Sequence, residues 1–517
     1  MSLDLSNYAD LMRALSPESV LTILAMLVLM IVAWRHRTVT DLRIAGWATL
    51  VSIGVTAAVV WWLWWNSTTV EGVAQMIAVD DFRFVTDWIF LGAAALTVLF
   101  SFRYLERENL LAPEYYPLLL FAVLGMMLMG GGEDLMVIFL GLELMSISVY
   151  VLAGFNRRSP RAAEAALKYF LLGAFASAFL LYGMALIYGA TGTTNLSFIG
   201  VQVQTLGVAH MPLLLVGIGL LLVGFGFKVA AVPFHMWAPD VYDGAPTPIT
   251  GFMATGVKAA AFAALFRVVV ESLGATGSWH VIIAGLAVAT MIGGNLIALA
   301  QRSVKRMLAY SSVAHAGYLL VAVVSGGTGS AAFIFYLVAY GITTIAAFAL
   351  LAAKGKGGES DVRVDDLSGL STSRPWLALA LTVCMLSLLG FPGTAGFMGK
   401  WYILVSAVGG GHTGLAIILV LTSVASAGYY LPVVMAMYMK PAAHAEAHAS
   451  MVFDRVGQAA LAVAVAAILW FGIAPGQLFD LSRTSGASLH AAAGMAMDSP
   501  APAPPTTASA TGATTAR

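Results

Sequence analysis

The chain has 517 residues, of which 60% are hydrophobic and only 10% charged, against roughly 25% charged in an ordinary soluble domain. That ratio leaves too little polar surface to face water on every side, and the balanced charge, 26 acids and 26 bases, gives no basic face for nucleic acid. One cysteine, Cys384 in LALALTVCMLSLLG, makes no internal disulfide, iron–sulfur cluster or structural zinc site and reads as a small buried hydrophobe.

Apolar runs of ~20 residues, the length a spanning helix needs, recur from residue 18 to residue 475. They predict an all-α membrane protein with about fourteen transmembrane helices, at 18–34, 46–65, 85–102, 114–131, 134–154, 163–190, 211–231, 246–273, 280–300, 307–325, 330–353, 375–409, 413–439 and 456–475. The first run has no basic segment before it and no A-x-A site after it, so it reads as a retained span. No Gly-rich phosphate loop opens a βαβ unit. Trp61, Trp62, Trp64 and Trp65 suit an interfacial aromatic belt. His444 and His448 have metal-like spacing around Glu446 but read as a solvated loop, so no metal site is expected. Residues 484–517 are rich in Ala, Pro and Thr and read as a disordered tail.

The sequence divides into an N-terminal three-helix segment (1–110), two five-helix units (111–275 and 276–440), a C-terminal helix (441–483) and the tail. Seventeen Lys and Arg fall in alternate loops, after spans one, three, five, nine, eleven and thirteen. Only Arg13, Arg83, Arg483 and Arg517 fall on the other side. Basic loops stay cytoplasmic, so both termini are expected outside the cytoplasm.

Five basic residues remain, all inside apolar segments: Lys168, Lys228, Lys258, Arg267 and Lys400. A lysine at a helix centre costs ~3 kcal/mol, so such residues face the bundle interior, water or a partner charge. Lys168 and Arg267 lie nearest their helix ends, where their heads could snorkel to the interface. Glu143, in FLGLELMSISVYVL, is the acid well inside a span. Asp240 and Asp243 read as turn residues or a channel mouth. A chain of titratable groups suits proton transfer, because a lysine's proton affinity responds to a neighbouring carboxylate.

Two spans carry breaks. In GFGFKVAAVPFHMWAPD, Pro233 follows Lys228 by five residues; in SLLGFPGTAGFMGKWY, Pro392 precedes Lys400. Paired interruptions suggest inverted repeats, here spans four to eight and nine to thirteen, with the site near the midplane. His235, seven residues after Lys228, would lie two helical turns along on nearly the same face. His315, near Ser311, Ser312 and Tyr318, is the other candidate relay.

At these residues the chain resembles the antiporter-like membrane subunits of respiratory complex I, the proton-translocating NADH–quinone oxidoreductase. The resemblance runs from about 15 to 475. It rests on LELMSISVYVL, ALKYFLLGAFASAFLLYG and most specifically FKVAAVPFHMWAPDVYDGAPTPITGFMATGVKAAAFAALFR. FPGTAGFMGKWY and GYYLPVVMAMY favour the subunit N branch. The resemblance implies an ion pair between Glu143 and Lys228, proton relay through Lys258, and a second half-channel at Lys400, with Lys168 on the matching sixth helix. It also implies a bacterial inner-membrane location and, as neighbours, sister antiporter-like subunits and small membrane subunits. No cofactor is expected in this chain; flavin, iron–sulfur clusters, NADH and quinone would sit on partner subunits. The same lysines would suit a subunit of a multi-subunit Na+/H+ antiporter or of a membrane-bound hydrogenase. A membrane scaffold with static charge pairs is the third alternative.

Overall fold

The computed structural model describes residues 8–35, 38–67, 76–206, 212–273, 278–354, 362–441 and 453–498. The loop with His444, Glu446 and His448, the tail from 499, and Arg37 and Lys356 lie outside them. Among the described residues, eleven helices are long and apolar enough to cross a membrane, and three shorter apolar helices accompany them. In chain order the principal helices are α1 (Ser16–Trp34), α2 (Val39–Trp65), α3 (Asp81–Arg107), α4 (Tyr115–Gly131), α5 (Leu135–Ala153) and α6 (Pro160–Thr191). Then come α7 (Pro212–Lys228), α8 (Trp237–Gly244), α9 (Thr247–Leu273), α10 (Ser278–Leu299) and α11 (Val304–Val324). The last are α12 (Ser330–Ala352), α13 (Pro375–Leu389), α14 (Ala395–Gly409), α15 (Thr413–Met439), α16 (Arg455–Ile473) and α17 (Gly476–Asp498).

Three helices form the centre. In α9 and α11, 94% of the spanning window is buried, and in α12 83%, against 33–39% in α1, α2, α6, α10, α15 and α16. Polar groups on α9, α11 and α12 therefore meet one another rather than lipid. Close approach elsewhere depends on small residues, as in membrane bundles generally. A side chain on Gly125 of α4 would strike the backbone of Gly141 and Met145 on α5, and one on Gly173 of α6 would strike the Tyr150 hydroxyl. The ends of α3 and α12 meet: Arg107, closing α3, donates to the carbonyls of Ala352 (2.7 Å) and Ala353 (3.1 Å) at the end of α12.

Both interrupted spans are broken, and by the same device. At the end of α7, Ala230 N–H donates to Phe227 O and Ala231 N–H to Gly226 O. At the end of α13, Gly390 N–H donates to Ser387 O and Phe391 N–H to Leu386 O. Each pair is a Schellman cap with a left-handed residue: Ala230 at φ 59 and Gly390 at φ 90. The first helix thus stops at Lys228, five residues ahead of Pro233. The cap, not the proline's missing amide, ends it.

The expected tail boundary is corrected. Helix α17 continues through 484 to Asp498, because its Ser482, Ser485 and Leu489 are fully buried. It packs against α12 and α3. An Ala-rich stretch is a good helix former once one face has something to cover.

Candidate functional site

The deepest lysine is on the central helix α9. A π-helical turn, Met253–Val257, immediately precedes Lys258, the kind of bulge found at functional sites. Lys258 is 2% exposed, and its Nζ donates to Ser312 O (2.7 Å) and to the Ser312 hydroxyl on α11. His315 lies one turn further along α11, 2% exposed. Its Nδ1 meets Tyr336 OH of α12 at 2.5 Å and its Nε2 meets Tyr430 OH of α15 at 3.0 Å. Tyr430 OH also bonds the Ser311 hydroxyl.

The line continues to Lys400. The His315 and Tyr318 rings stand edge to face at 5.4 Å, and Lys400 Nζ sits 4.9 Å above the Tyr318 ring, a cation–π contact. Lys400 Nζ donates to Leu388 O (2.9 Å), Leu389 O (2.9 Å) and Ser423 Oγ (2.8 Å). These carbonyls end α13 and have no helical partner of their own, and a cation there also meets the negative end of the helix dipole. The break in span twelve is thus a binding site for the lysine that follows it.

Lys228 occupies a separate pocket at the end of α7. It is 3% exposed. Its Nζ donates to Ser146 Oγ at 2.6 Å and Tyr150 OH at 3.4 Å, both on α5, and lies 5.3 Å from the Tyr150 ring and 5.5 Å from that of Tyr169. The expected ion pair with Glu143 is corrected. Glu143 sits one turn before Ser146 on α5, and its Oε1 is buried with no hydrogen-bond partner among the described residues. The Ser146 hydroxyl, not the carboxylate, takes the lysine's proton bond. Glu143 is half-buried beside Leu140 and Ile147, which are 60% and 58% exposed. Helix α8 packs against α6 and α11, between the Lys228 and Lys258 pockets. Its Trp237 stacks on Tyr169 at 4.5 Å and stands edge-on to Tyr242 at 5.9 Å.

These four stations, three lysines and a histidine on broken or central helices, are the arrangement against which known proteins can be compared. Residues 132–426 match the model of the NADH:quinone oxidoreductase/Mrp antiporter transmembrane family. The chain is 48% identical to the NADH-quinone oxidoreductase subunit N of Trichlorobacter lovleyi, over 83% of this chain and 88% of that protein. It is 44% identical to the subunit N of Gemmatimonas aurantiaca, over 93% and 94%. The chain belongs to the subunit N family. Among solved structures it matches a chain of respiratory complex I from Thermus thermophilus with bound aureothin, with a TM-score of 0.75 and 36% identity over 90% of this chain and 99% of that one. A chain of the Mrp complex from Dietzia sp. shares the fold, with a TM-score of 0.81 at 21% identity over 94% of this chain and 99% of that one.

Lys168 and His235 lie apart from these stations. Lys168 has a 41% exposed side chain and pairs with Glu164 at 2.7 Å and Asp240 at 2.8 Å. Asp240 also takes Arg306 at 2.8 Å. With Arg161, Asp243 and Gly244 they line an open polar cavity of about 180 Å³, so of the two readings of these aspartates, turn or mouth, the open charged cavity is the one they occupy. His235 is half-buried in the non-helical stretch after α7, and its Nδ1 has no partner among the described residues. The two-turn spacing from Lys228 fails because no helix connects them.

Sequence reasoning missed Ser146, Tyr150, Tyr336, Tyr430 and Ser423, which carry the contacts. Hydroxyls on apolar helices were the available signal, though too common to single out alone. It also misread Arg267, which does not snorkel: fully buried, it pairs with Asp80 (2.9 Å) and Glu271 (2.8 Å). Among the described residues no group of three or more His, Cys, Asp or Glu is placed to hold a metal.

Proposed function

We propose that this chain moves protons across the bacterial inner membrane as the subunit N component of NADH–quinone oxidoreductase, along a path of buried ionisable groups. The observation that carries the reading is the buried row of Lys258 bonded to Ser312, His315 one turn further along α11, and Lys400 over the Tyr318 ring that His315 also touches. Ammonium, hydroxyl and imidazole groups hold and pass protons, and apolar helices insulate them. Lys228, bonded to Ser146 one turn along α5 from Glu143, is the loading station. A charge change at Glu143 alters the affinity of Lys228 through the intervening turn. Lys168, beside the open cavity with Asp240 and Arg306, stands at the cytoplasmic mouth, and His235 exchanges protons at the break after Lys228. The two broken spans and their lysines belong to two inverted five-helix units, with both termini on the outer face.

The driver comes from elsewhere. Moving one charge against the membrane potential takes ~2.3 kcal/mol per 100 mV, and no redox group is expected in this chain. NADH oxidation, flavin, iron–sulfur clusters and quinone reduction belong to partner subunits, and sister antiporter-like subunits and small membrane subunits transmit the charge shift. The half-buried Glu143, on a face with exposed Leu140 and Ile147, suits contact with such a neighbour.

The test is proton uptake by proteoliposomes carrying the whole complex, with Lys228→Ala and Glu143→Ala. Both variants should oxidise NADH with a lowered proton yield. Normal yields in both would leave the charges as static pairs in a scaffold and sink the proposal.

A further inference from the structure

A second group of buried charges lies away from the lysine line, where the starts of α1 and α3 meet the ends of α4 and α9. Arg83 of α3 is fully buried. Its Nη2 donates to both oxygens of Glu18 on α1, at 2.7 and 2.8 Å, and to Ala14 O at 2.9 Å, while Nη1 donates to Ala78 O at 2.6 Å. Arg267 of α9 binds Asp80, the N-cap of α3, through Nη1 at 2.9 Å and Nη2 at 3.0 Å. It also binds Glu271 (2.8 Å) and Gly130 O (3.2 Å). Two cations therefore serve Glu18, Asp80 and Glu271, each through a charge-assisted hydrogen bond.

Asp87 is the carboxyl left over. One turn after Arg83 on α3, it is 0% exposed, and neither oxygen has a hydrogen-bond partner among the described residues. Its nearest cation is Arg83 Nε at 3.8 Å. That guanidinium is committed to Glu18, and its Nε is itself unpartnered. A carboxylate buried without a hydrogen bond costs several kcal/mol and takes up a proton instead. Glu271 has one unpartnered oxygen but keeps its bond to Arg267, so Asp87 is the member least costly to neutralise.

We propose that Asp87 binds an exchangeable proton, making this cluster a second proton-holding site, separate from the lysine line. Protonated, Asp87 leaves Arg83 on Glu18. On deprotonation the O–H bond of the carboxyl breaks, the proton leaves on the side of half-buried Asp80, and the new carboxylate draws Arg83 Nε from 3.8 Å into hydrogen-bond range. The charges that act on Asp87 and set this balance are Arg83 on its own helix, Glu18 from α1, Asp80 before α3 and Arg267 from α9. The site has the chemistry of a proton store coupled to the α1–α3 contact. It stands whether or not the lysine line conducts.

The test is infrared spectroscopy of the assembled complex in lipid nanodiscs, with aspartate isotopically labelled. A protonated-aspartate carbonyl band at neutral pH, absent from Asp87→Asn, is the expected result. Glu18→Gln frees Arg83 for Asp87, and the band should then disappear at a pH lower by about one unit or more, a tenfold change in proton affinity. Should Asp87→Asn fail to assemble, Glu18→Gln in the assembled complex carries the test alone. A wild-type complex with no such band, a band unchanged in Asp87→Asn, or an unmoved titration in Glu18→Gln overturns the proposal. So does a band that falls with sodium concentration at constant pH, which would assign a metal cation instead.

Discussion

The two broken spans share a cap but use it in opposite ways. At the first, Lys228 is the last residue of the helix that ends, and its ammonium reaches sideways to Ser146 and Tyr150 on α5. At the second, Lys400 comes after the break and turns back onto the carbonyls the broken helix leaves open. The first break leaves its lysine on neutral hydroxyls; the second fastens its lysine to the end of a helix dipole. The second lysine is therefore the more tightly bound into the fold. The left-handed residues follow the same division. Ala230 carries a side chain in a conformation costing ~1–2 kcal/mol, while Gly390 occupies its own at no such cost.

The largest effect that would sharpen this contrast is the loss of Lys400. Lys400→Ala strands the buried Leu388 carbonyl, worth ~1–3 kcal/mol unsatisfied, while Leu389 O keeps the Ser423 hydroxyl at 3.1 Å, so thermal denaturation of the assembled complex should show a destabilisation of roughly 1–3 kcal/mol. Lys228→Ala should cost clearly less, because Ser146 keeps its bond to Leu142 O. Equal losses would break the comparison. Next comes Gly173→Ala, whose methyl group would occupy the place of the Tyr150 hydroxyl. Overpacking of that kind costs ~1–3 kcal/mol, and it should lower proton yield through Lys228 while leaving a Lys400→Ala background no worse.

The caps themselves give a paired prediction of opposite sign. Gly390→Ala forces a side chain into the left-handed region and to 3.1 Å from Lys400 Cδ, so it should destabilise by about 1–2 kcal/mol. Ala230→Gly should stabilise by up to a similar amount, less the flexibility it adds to the unfolded chain. Two changes of the same sign in the melting temperature would show that the caps are not equivalent. Smallest is Lys168→Ala: its partners are exposed and Asp240 keeps Arg306, so stability should move by at most ~1 kcal/mol.

The breaks and all four stations were legible in the sequence, because a lysine in an apolar run is costly enough to demand a reason. Lys258 and Lys400 needed no neighbour to be noticed, and His315 drew attention through the hydroxyls beside it. What was not legible depended on register between distant helices. Nothing in the local pattern says that Ser146 rather than Glu143 faces Lys228, since both lie on α5 one turn apart. His235 was placed by assuming helix where a cap had already ended it. Arg83 and Arg267 were read as a loop charge and a snorkelling charge because their partners, Glu18 and Asp80, are 65 and 187 residues away in the chain. The helical run of 484–498 was hidden by composition, since Ala-rich sequence specifies a helix only when something covers it.

The central claim is that protons pass along the line from Lys258 to Lys400, and the most direct measurement is the number of protons translocated per NADH oxidised by proteoliposomes carrying Lys258→Ala. A buried proton-transfer group contributes on the order of 100-fold or more to its step. The account therefore predicts a lower proton yield, with electron transfer from NADH to an added quinone persisting once the gradient is collapsed by an uncoupler. A yield equal to the wild type would contradict it.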